Sequence, residues 1–288
     1  MRRLLLVSVL LLGACDAPQL SLTGNALGTT FNVSIVEPPE PLEVDALEGK
    51  IVAALARIDL LASTWREDSE LSAFNADHGI DWIVVSPDFC DALGRTIEIS
   101  AQTGGTFDVT AGPLVNLWGF GPDGIVSEPP SDEAIERAMQ SVGYEKIETD
   151  CDEGLVRKDV ADMYVDLSGW AKGLAVDEVA ELLDADGVVN YLVEIGGEVR
   201  VKGYNSRKEN WAVGIEAPST SQRVPHSVVR VTNTSVATSG DYRNYFEHDG
   251  HHYSHTIDPR SGRPVAHKLA AVTVVHQSAA YADALATA

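Results

Sequence analysis

Five short strand-like segments follow one another in the second half of the chain, and their spacing limits the possible folds more than any other feature. Each is a run of apolar and β-branched residues bounded by turn residues, a pattern typical of β-strands. They lie at 191–195, 198–202, 211–216, 227–232 and 270–276. Because strands joined by short turns pair antiparallel, the pattern predicts an antiparallel or mixed sheet.

Helical patterns precede these strands and alternate with them. Leu47, Ile51 and Leu55 recur at helical spacing within a helix predicted over 44–62. Further helices are predicted from Ser86-Pro87 to Thr103, from Ser131, over 170–184 and from near Ser278, and further strands over 29–36 and 163–167. The interleaved elements predict an α+β fold with flanking helices. With no linker-like stretch in the 288 residues, we expect one domain over 24–288.

The chain is strongly acidic. It has 21 Lys and Arg residues against 43 Asp and Glu residues, a formal net charge of −22. Such a charge repels the phosphates of nucleic acids and the headgroups of anionic lipids, so we expect no nucleic-acid partner. An anionic ligand has to be held here by local groups, such as backbone amides, helix N-termini, a few cations or a divalent metal ion.

The first residues have the layout of an export signal. Two arginines precede the apolar run 4–12, which leads into Cys15. The run is shorter than the ~20 residues of a membrane-spanning helix. Because Leu-Gly-Ala-Cys resembles a bacterial lipobox, we expect a signal peptide over 1–14, lipidation of Cys15 and a tether over 15–23. The alternative is an ordinary cleaved signal with an incidental cysteine.

Cys90 and Cys151 are the other cysteines of the chain. In an oxidising compartment they can form a disulfide. Two buried thiols explain them equally well, so the sequence leaves their state open.

The stretch from Thr103 to Gly121 is rich in glycine and aromatic residues. Glycines let the backbone approach a ligand closely, and the rings of Phe107, Trp118 and Phe120 offer stacking faces. We interpret it as a long ligand-binding loop. An ordered loop that packs its own rings is the alternative.

Residues 166–173, DLSGWAKG, run from a predicted strand into a predicted helix. This junction brings free amides, the Asp166 carboxylate and the Lys172 ammonium to a helix N-terminus, which suits a phosphate or pyrophosphate. The phosphate-loop and dinucleotide-binding glycine motifs are both absent. A helix cap followed by a surface lysine is the alternative.

Four histidines lie close together in a turn-rich segment. His248, His251 and His252 do not have the regular spacing of zinc ligands, and the first two are predicted to flank a hairpin tip. His255 is better placed for acid–base chemistry or phosphate contact. Near the C-terminus, Asp283 and Thr287 are four residues apart, so a helix would put both oxygen donors on one face. With phosphate and carbonyl oxygens they would suit Mg²⁺.

Together these segments resemble the FAD:protein FMN transferase family, the ApbE-type flavin transferases of the bacterial periplasm. The matching stretches occur in family order. They are GNALGTTF (24–31), STWREDSEL through FN (63–75), PLVNLWGFGP (113–122), DLSGWAKG (166–173), YLVEIGGEV (191–199), ATSGDYRNYF (237–246), YSHTIDPRSGRPV (253–265) and ADALATA (282–288). The resemblance implies an ApbE-like single domain related to the T-fold.

By position, the resemblance also implies a set of ligand contacts. FAD would be contacted by Leu27, Trp65, Thr106, Phe107, Asp108, Asp166, Lys172 and Ile257. Mg²⁺ would be held by the Gly169 carbonyl, Asp283 and Thr287, while His255 matches the proposed catalytic histidine. Some family members have a second Asp where this chain has Ala286, so fewer side-chain metal ligands are expected.

The implied reaction is the Mg²⁺-dependent transfer of FMN from FAD to a Thr or Ser hydroxyl of an acceptor protein, with release of AMP. The implied acceptors are subunits of membrane electron-transport complexes, such as sodium-pumping quinone reductases and Rnf-type complexes. An FAD pyrophosphatase and a non-catalytic FAD-binding periplasmic lipoprotein are the alternatives.

The resemblance also bears on location and on the chain's end. With Asp16 after the lipidated Cys15, we expect a lipid anchor at the periplasmic face of the bacterial inner membrane. Family members usually continue through a further helix and strand, so a truncated C-terminus is also expected.

Overall fold

A computed structural model of the protein describes residues 17–218, 225–241, 244–266 and 269–288. The expected signal peptide over 1–14 and the lipidation site Cys15 lie outside the described residues. Within those ranges, no helix combines the length and the apolar character that are needed to cross a bilayer.

Helices and strands alternate along the described chain, as predicted for an α+β fold. The helices are α1 (Val44–Ala62), α2 (Glu70–Ala76), α3 (Pro87–Gln102), α4 (Gly112–Leu117), α5 (Asp132–Met139), α6 (Ser168–Ala185) and α7 (Ala279–Thr287). The strands are β1 (Gln19–Ala26), β2 (Thr29–Val36), β3 (Ile83–Val84), β4 (Ile147–Asp150), β5 (Leu155–Lys158), β6 (Tyr191–Ile195), β7 (Glu198–Lys202), β8 (Trp211–Glu216), β9 (Pro225–Val231), β10 (Thr234–Gly240), β11 (Tyr245–His248), β12 (His251–Ser254), β13 (Ile257–Asp258), β14 (Arg263–Pro264) and β15 (Ala271–His276).

Six strands form the central sheet, in the order β1-β2-β6-β7-β10-β15, and all neighbours in it are antiparallel. β1 and β2 form a hairpin whose turn residues, Leu27 and Gly28, have φ angles of 52° and 70°. This left-handed conformation matches the twist of a two-residue hairpin. The predicted tether over 15–23 is wrong in its second half, because β1 begins at Gln19 and pairs with β2.

The two faces of the central sheet pack against different elements. On one face, Val33 of β2 and Val193 of β6 share a core with residues of α1 and α6. On the other face, Val199 of β7 and Val236 of β10 pack against Trp211 of the β8–β9 hairpin. Because side chains alternate along a strand, neighbouring residues of β6 serve both cores: Val193 lies in the first and Leu192 packs against the second.

Another core lies beside the one that β2 and β6 form with α1 and α6, which we call the sheet core. It contains residues of α2, α3 and the small antiparallel sheet β3-β5-β4. α6 belongs to both cores, since its first turns supply Trp170 and Ala171 to this one and its later turns supply Ala175 and Val176 to the sheet core. The N-terminal end of α6 therefore lies at the boundary between the two cores.

A disulfide between Cys90 of α3 and Cys151, just after β4, fastens the helix to the small sheet. The pair spans 61 residues of sequence. Of the two states that the sequence left open, the structure has the disulfide. Its closed loop restricts the unfolded chain, which is the usual source of disulfide stabilisation.

We expect the double substitution of Cys90 and Cys151 by serine to lower the free energy of unfolding by about 2–4 kcal/mol, the typical contribution of a native disulfide. Denaturant unfolding of the oxidised wild type and of the variant measures this difference. Reduced wild type serves as the control and should unfold at nearly the same denaturant concentration as the variant. Equal midpoints for the oxidised wild type and the variant would contradict the expectation.

Most predicted elements are confirmed, but the strand predicted over 163–167 is wrong. Met163, Val165 and Leu167 alternate as buried residues, yet the segment belongs to no sheet. The backbone of its central residue pairs with a side chain instead: the Asn75 Nδ2 donates to the Val165 carbonyl at 2.9 Å and the Val165 N–H donates to Asn75 Oδ1 at 2.8 Å. The alternation of buried residues therefore resembles that of a strand. The Val165 backbone, however, pairs with the Asn75 side chain and not with a neighbouring strand.

The long loop predicted from Thr103 to Gly121 is also partly wrong. A short 3₁₀ helix covers Val109–Ala111 and α4 follows directly, with Pro113 in its first turn. Proline is well suited to that position because the first N–H groups of a helix lack intrahelical partners. Trp118 and Phe120 at the end of this segment are thereby held in the turn that follows α4.

Candidate functional site

A cavity of about 480 Å³ opens where α6 begins and α7 ends. Residues from distant parts of the sequence line it. They include Thr64, Trp65, Thr106, Phe107, Asp108, Asp166, Gly169, Lys172, Glu198, Ser239, Asn244, His255, Ile257, Asp283 and Thr287. Its size is within the range of small-molecule and cofactor sites.

The first turn of α6 supplies one wall of the cavity. Asp166 Oδ1 accepts a hydrogen bond from the Ser168 N–H at 2.8 Å and so caps the start of the helix. A Cβ added at Gly169 would lie 3.2 Å from the Thr287 hydroxyl and 3.4 Å from the Phe107 ring. The backbone of Gly169 therefore lies close to α7, and a side chain there would fit only if Thr287 or Phe107 moved slightly.

The end of α7 supplies the facing wall. Asp283 is 3% exposed, and its Oδ2 accepts a hydrogen bond from the Gly173 N–H at 3.0 Å. Thr287 lies one turn later; its hydroxyl is 3.2 Å from the Ser239 hydroxyl and donates to the Asp283 carbonyl at 3.2 Å. The predicted Asp283–Thr287 spacing on one helix is confirmed.

Lys172 links two buried carboxyl groups. Its Nζ is 3.5 Å from Asp283 Oδ2 and 3.5 Å from Glu198 Oε1. Glu198 is 4% exposed, and within the described residues its Oε2 has no hydrogen-bond partner. The cluster thus contains two carboxyl groups for one ammonium group, an arrangement that favours an additional cation.

The pKa values of the three groups reflect this arrangement. Burial raises the pKa of Glu198 to about 8, since attraction to Lys172 offsets only part of the loss of hydration. Burial likewise raises the pKa of Asp283, with Lys172 and the Gly173 N–H acting in the opposite direction. For Lys172 burial lowers the pKa, but the two carboxyl groups outweigh it and leave the pKa above its ordinary value. Lys172 therefore remains a cation at neutral pH.

Asp108 organises the loop at the side of the cavity. One of its oxygens accepts hydrogen bonds from the Thr110 N–H at 2.8 Å and hydroxyl at 2.6 Å, and the other accepts one from the Tyr144 N–H at 3.1 Å. Burial raises the pKa of Asp108, and these hydrogen bonds partly offset the effect. Its neighbour Phe107 is buried and faces the first turn of α6.

Trp65 stands at the mouth of the cavity. Its side chain is 70% exposed, unusual for so large a ring. The loop that carries it is held by the Ser69 hydroxyl, which donates to the Ser63 carbonyl at 2.6 Å, and by Arg66, which pairs with Asp59 and Asp68. The ring is therefore presented to solvent on a fixed loop, ready to cover a flat ligand.

His255 follows the β11–β12 hairpin, whose tip lies between His248 and His251 as predicted. Its Nδ1 lies 3.1 Å from the Asn244 carbonyl. Because a carbonyl only accepts, Nδ1 carries the proton and Nε2 keeps a lone pair. Burial lowers the pKa of His255, which the Asn244 carbonyl and Asp241 only partly oppose, so the imidazole is neutral at neutral pH. The edge of Phe120 packs against the ring at 6.2 Å between centroids.

The cavity brings together nearly all of the site residues predicted from the sequence. Trp65, Thr106, Phe107, Asp108, Asp166, Gly169, Lys172, His255, Ile257, Asp283 and Thr287 all line it. Leu27 does not: it lies in the β1–β2 turn and packs partly against the sheet core. Glu198 was not predicted as a site residue, although an acidic residue directly after the turn Gly196-Gly197 was a signal for it.

Among the described residues, no group of three or more His, Cys, Asp and Glu side chains is arranged to hold a metal ion. The oxygen donors at the junction of α6 and α7 are of mixed type: the Asp283 and Glu198 carboxyl groups, the Thr287 hydroxyl and a backbone carbonyl near the start of α6. Such donors suit a hard cation that takes its remaining ligands from water or substrate phosphates.

The fold and the cavity define a class of protein. A helix N-terminus and a half-buried lysine can bind an anionic group, an exposed tryptophan can stack on a flat ring, and a neutral histidine can accept a proton. These features together describe an α+β enzyme-like site for a nucleotide-type ligand.

Comparison with known proteins identifies the family. The chain belongs to the ApbE family, whose sequence profile matches residues 27–288. It is 42% identical over 284 residues to the FAD:protein FMN transferase of Vibrio cholerae, covering 98% of this chain and 84% of that protein. It is 39% identical over 283 residues to the FAD:protein FMN transferase of Haemophilus influenzae, covering 96% and 82% respectively.

Comparison with solved structures supports the same family assignment. The flavin transferase ApbE of Vibrio cholerae superimposes with a TM-score of 0.86 at 40% identity, over 94% of this chain and 86% of that one. The apo form of the Pseudomonas stutzeri flavinyl transferase ApbE gives a TM-score of 0.86 at 38% identity, over 96% and 85%. The expected ApbE-like fold is confirmed.

Proposed function

We propose that this protein transfers FMN from FAD to a Thr or Ser hydroxyl of an acceptor protein and releases AMP. The observation that carries the proposal is the meeting of Lys172, Asp283, Thr287 and His255 in one cavity with an exposed tryptophan at its mouth. Relatives at 42% and 39% identity carry the name of this activity.

The pyrophosphate of FAD is the natural ligand for the cationic end of the cavity. Lys172 supplies a fixed positive charge beside the N-terminus of α6, where the helix dipole also favours an anion. In a chain of net charge −22, these local groups have to overcome a repulsive field. The flavin ring would lie toward Trp65, whose exposed face can stack on it.

Mg²⁺ fits the oxygen donors at the junction of α6 and α7. The Gly173 N–H, the usual intrahelical partner of the Gly169 carbonyl, donates to Asp283. The Gly169 carbonyl, the Asp283 carboxylate and the Thr287 hydroxyl would therefore hold the ion. When bound, Mg²⁺ would neutralise the charge that develops on the pyrophosphate.

His255 serves as the general base in this proposal. The acceptor hydroxyl oxygen bonds to the phosphorus of the FMN half while the bond from that phosphorus to the bridging oxygen breaks. AMP leaves with the bridging oxygen, and the hydroxyl proton passes to Nε2 of His255. A neutral imidazole held by a hydrogen bond at Nδ1 is suited to this role.

The decisive experiment incubates the protein with FAD, Mg²⁺ and an extracytoplasmic subunit of a quinone reductase or Rnf-type complex. Covalent flavin is followed by fluorescence in a denaturing gel and AMP by chromatography. We expect AMP and protein-bound flavin to form in equal amounts, and both to stop when Mg²⁺ is chelated. AMP without bound flavin would indicate a pyrophosphatase, and bound but unreacted FAD would indicate a storage protein.

The proposed setting is the periplasmic face of the bacterial inner membrane, with Cys15 as the lipid-anchor site. The Cys90–Cys151 disulfide supports an oxidising compartment. We expect Cys15→Ser to move the protein from the membrane fraction to the soluble fraction, or to leave it unprocessed. A processed Cys15→Ser protein that stays firmly bound to membranes would contradict the anchor, and Cys90→Ser serves as the matched cysteine control.

A further inference from the structure

One buried carboxylate on α6 collects an unusual number of donors. Asp177 accepts hydrogen bonds from Arg200 Nη1 at 2.6 Å, the Ser278 hydroxyl at 2.7 Å, the Ala279 N–H at 2.9 Å and the Ala280 N–H at 3.1 Å. Three of these donors belong to the start of α7. Asp177 lines no part of the cavity, so its role is not direct contact with a ligand.

The contacts of Asp177 complete the N-terminus of α7. The first N–H groups of a helix have no intrahelical partners, and a carboxylate there also interacts favourably with the helix dipole. Helices usually obtain this cap from their own N-cap residue, and Ser278 does bond the Tyr281 N–H. Asp177 adds a cap from another helix, and this fixes where α7 begins relative to α6.

Close backbone contact reinforces this attachment. A Cβ added at Gly173 would lie 2.3 Å from the Ala279 carbonyl oxygen, so only glycine allows the two helices to approach as they do. Gly173 also donates its N–H to Asp283. α6 and α7 are therefore joined at two points, by Asp177 at the start of α7 and by Asp283 at its middle.

The proposed metal ligands are divided between these two helices. Gly169 is on α6, whereas Asp283 and Thr287 are on α7. A sliding of one helix against the other would change the distances from the Gly169 carbonyl to Asp283 and Thr287 without altering any of the three residues. Outer contacts that orient metal ligands typically change metal affinity by about 10- to 100-fold.

We propose that Asp177 is a positioning residue for the metal site: it sets the register of α7 on α6 and so the spacing of the Gly169, Asp283 and Thr287 oxygens. The proposal rests on the proposed function only for the identity of the ion and of FAD. It requires that a change at Asp177 weakens metal binding more than FAD binding.

The test compares Asp177→Asn with the wild type. Mn²⁺ replaces Mg²⁺ as the probe, and its binding in the presence of FAD, without an acceptor, is followed by the loss of the free-ion EPR signal. We expect about 10- to 100-fold more Mn²⁺ to be needed by the variant. At saturating metal, the FAD concentration for half-saturation should stay within about twofold of the wild-type value.

Two further variants make the outcome decisive. Asp184→Asn, on the same helix, removes a surface carboxylate that pairs with Lys202 at 2.9 Å, and it should bind metal as the wild type does. Ser278→Ala removes one donor to Asp177 and the acceptor of the Tyr281 N–H, but it leaves Arg200 paired with Asp177. It should therefore shift metal binding in the same direction but less, and it provides the test if Asp177→Asn does not fold.

An unchanged metal requirement in folded Asp177→Asn, or an equal loss of metal and FAD binding, would overturn the positioning role. A wild type that binds metal and FAD but neither forms AMP nor flavinylates an acceptor would refute the proposed function alone. The EPR comparison would still report on Asp177 in that case.

Discussion

Replacing His255 with alanine is expected to lower the rate of FMN transfer by about 10²- to 10⁴-fold, the usual contribution of a positioned general base. The substitution removes the proton acceptor at Nε2 but leaves Lys172, Asp283 and the aromatic residues in place. FAD binding should therefore change little. The rate of covalent flavin formation measures the first effect, and quenching of flavin fluorescence on binding measures the second.

The pH dependence of the wild type supports the same assignment. Burial holds the pKa of His255 below its ordinary value, so the imidazole is neutral and active at neutral pH. As the pH falls through this lowered pKa, protonation removes the base and the rate declines. The decline should thus begin at a lower pH than for an unperturbed histidine. His252→Ala, which removes a ring stacked on Tyr245 at 4.0 Å, is the matched control; a similar rate loss in both variants would argue against a specific role of His255.

Replacing Asp283 with alanine is expected to abolish AMP formation at ordinary Mg²⁺ concentrations, because metal affinity should fall by at least about 100-fold, beyond the range typical of outer contacts. The substitution removes the only carboxylate among the three proposed ligands. It also takes away one of the two carboxyl partners of Lys172. Titration of Mg²⁺ against AMP formation, together with Mn²⁺ binding by EPR, measures the loss.

Asp283→Asn tests the contribution of the negative charge to metal binding separately from that of the contact between α6 and α7. Its side-chain oxygen still accepts the Gly173 N–H, so the helix contact is kept, while the negative charge that attracts the ion is removed. We expect this variant to fold like the wild type and to show a weakened metal affinity as well. Unchanged Mg²⁺ dependence in folded Asp283→Asn would place the metal elsewhere in the cavity.

Much of the fold was predictable because its elements bury one face. Helix α1 and strand β2 were found through their hydrophobic period and helix α3 through its capping residues Ser86-Pro87, and both signals are local properties. The segment over 163–167 has the same period but no strand beside it. Its pairing with the Asn75 side chain depends on residues 90 positions apart, and a local pattern cannot report that.

Site residues were predictable where a side chain suited to the proposed chemistry lies within a sequence motif that resembles the family. Lys172, His255 and Asp283 each lie in a stretch that resembles the family, and each lines the cavity. Glu198 and Asp177 escaped prediction for different reasons. Glu198 is distinguished by its burial next to Lys172, and Asp177 by its contacts with another helix. Both properties arise only when the chain has folded.

Because α6 belongs to both cores, it affects how the protein unfolds. Trp170 and Ala171 are buried in one core, and Ala175 and Val176 in the other, within consecutive turns. Unfolding of either core alone would expose part of α6. Because α6 also belongs to the other core, that core would be destabilised as well. The amide hydrogens around Lys172 should therefore exchange with solvent mainly through global opening. The cavity would then persist as long as the protein is folded at all.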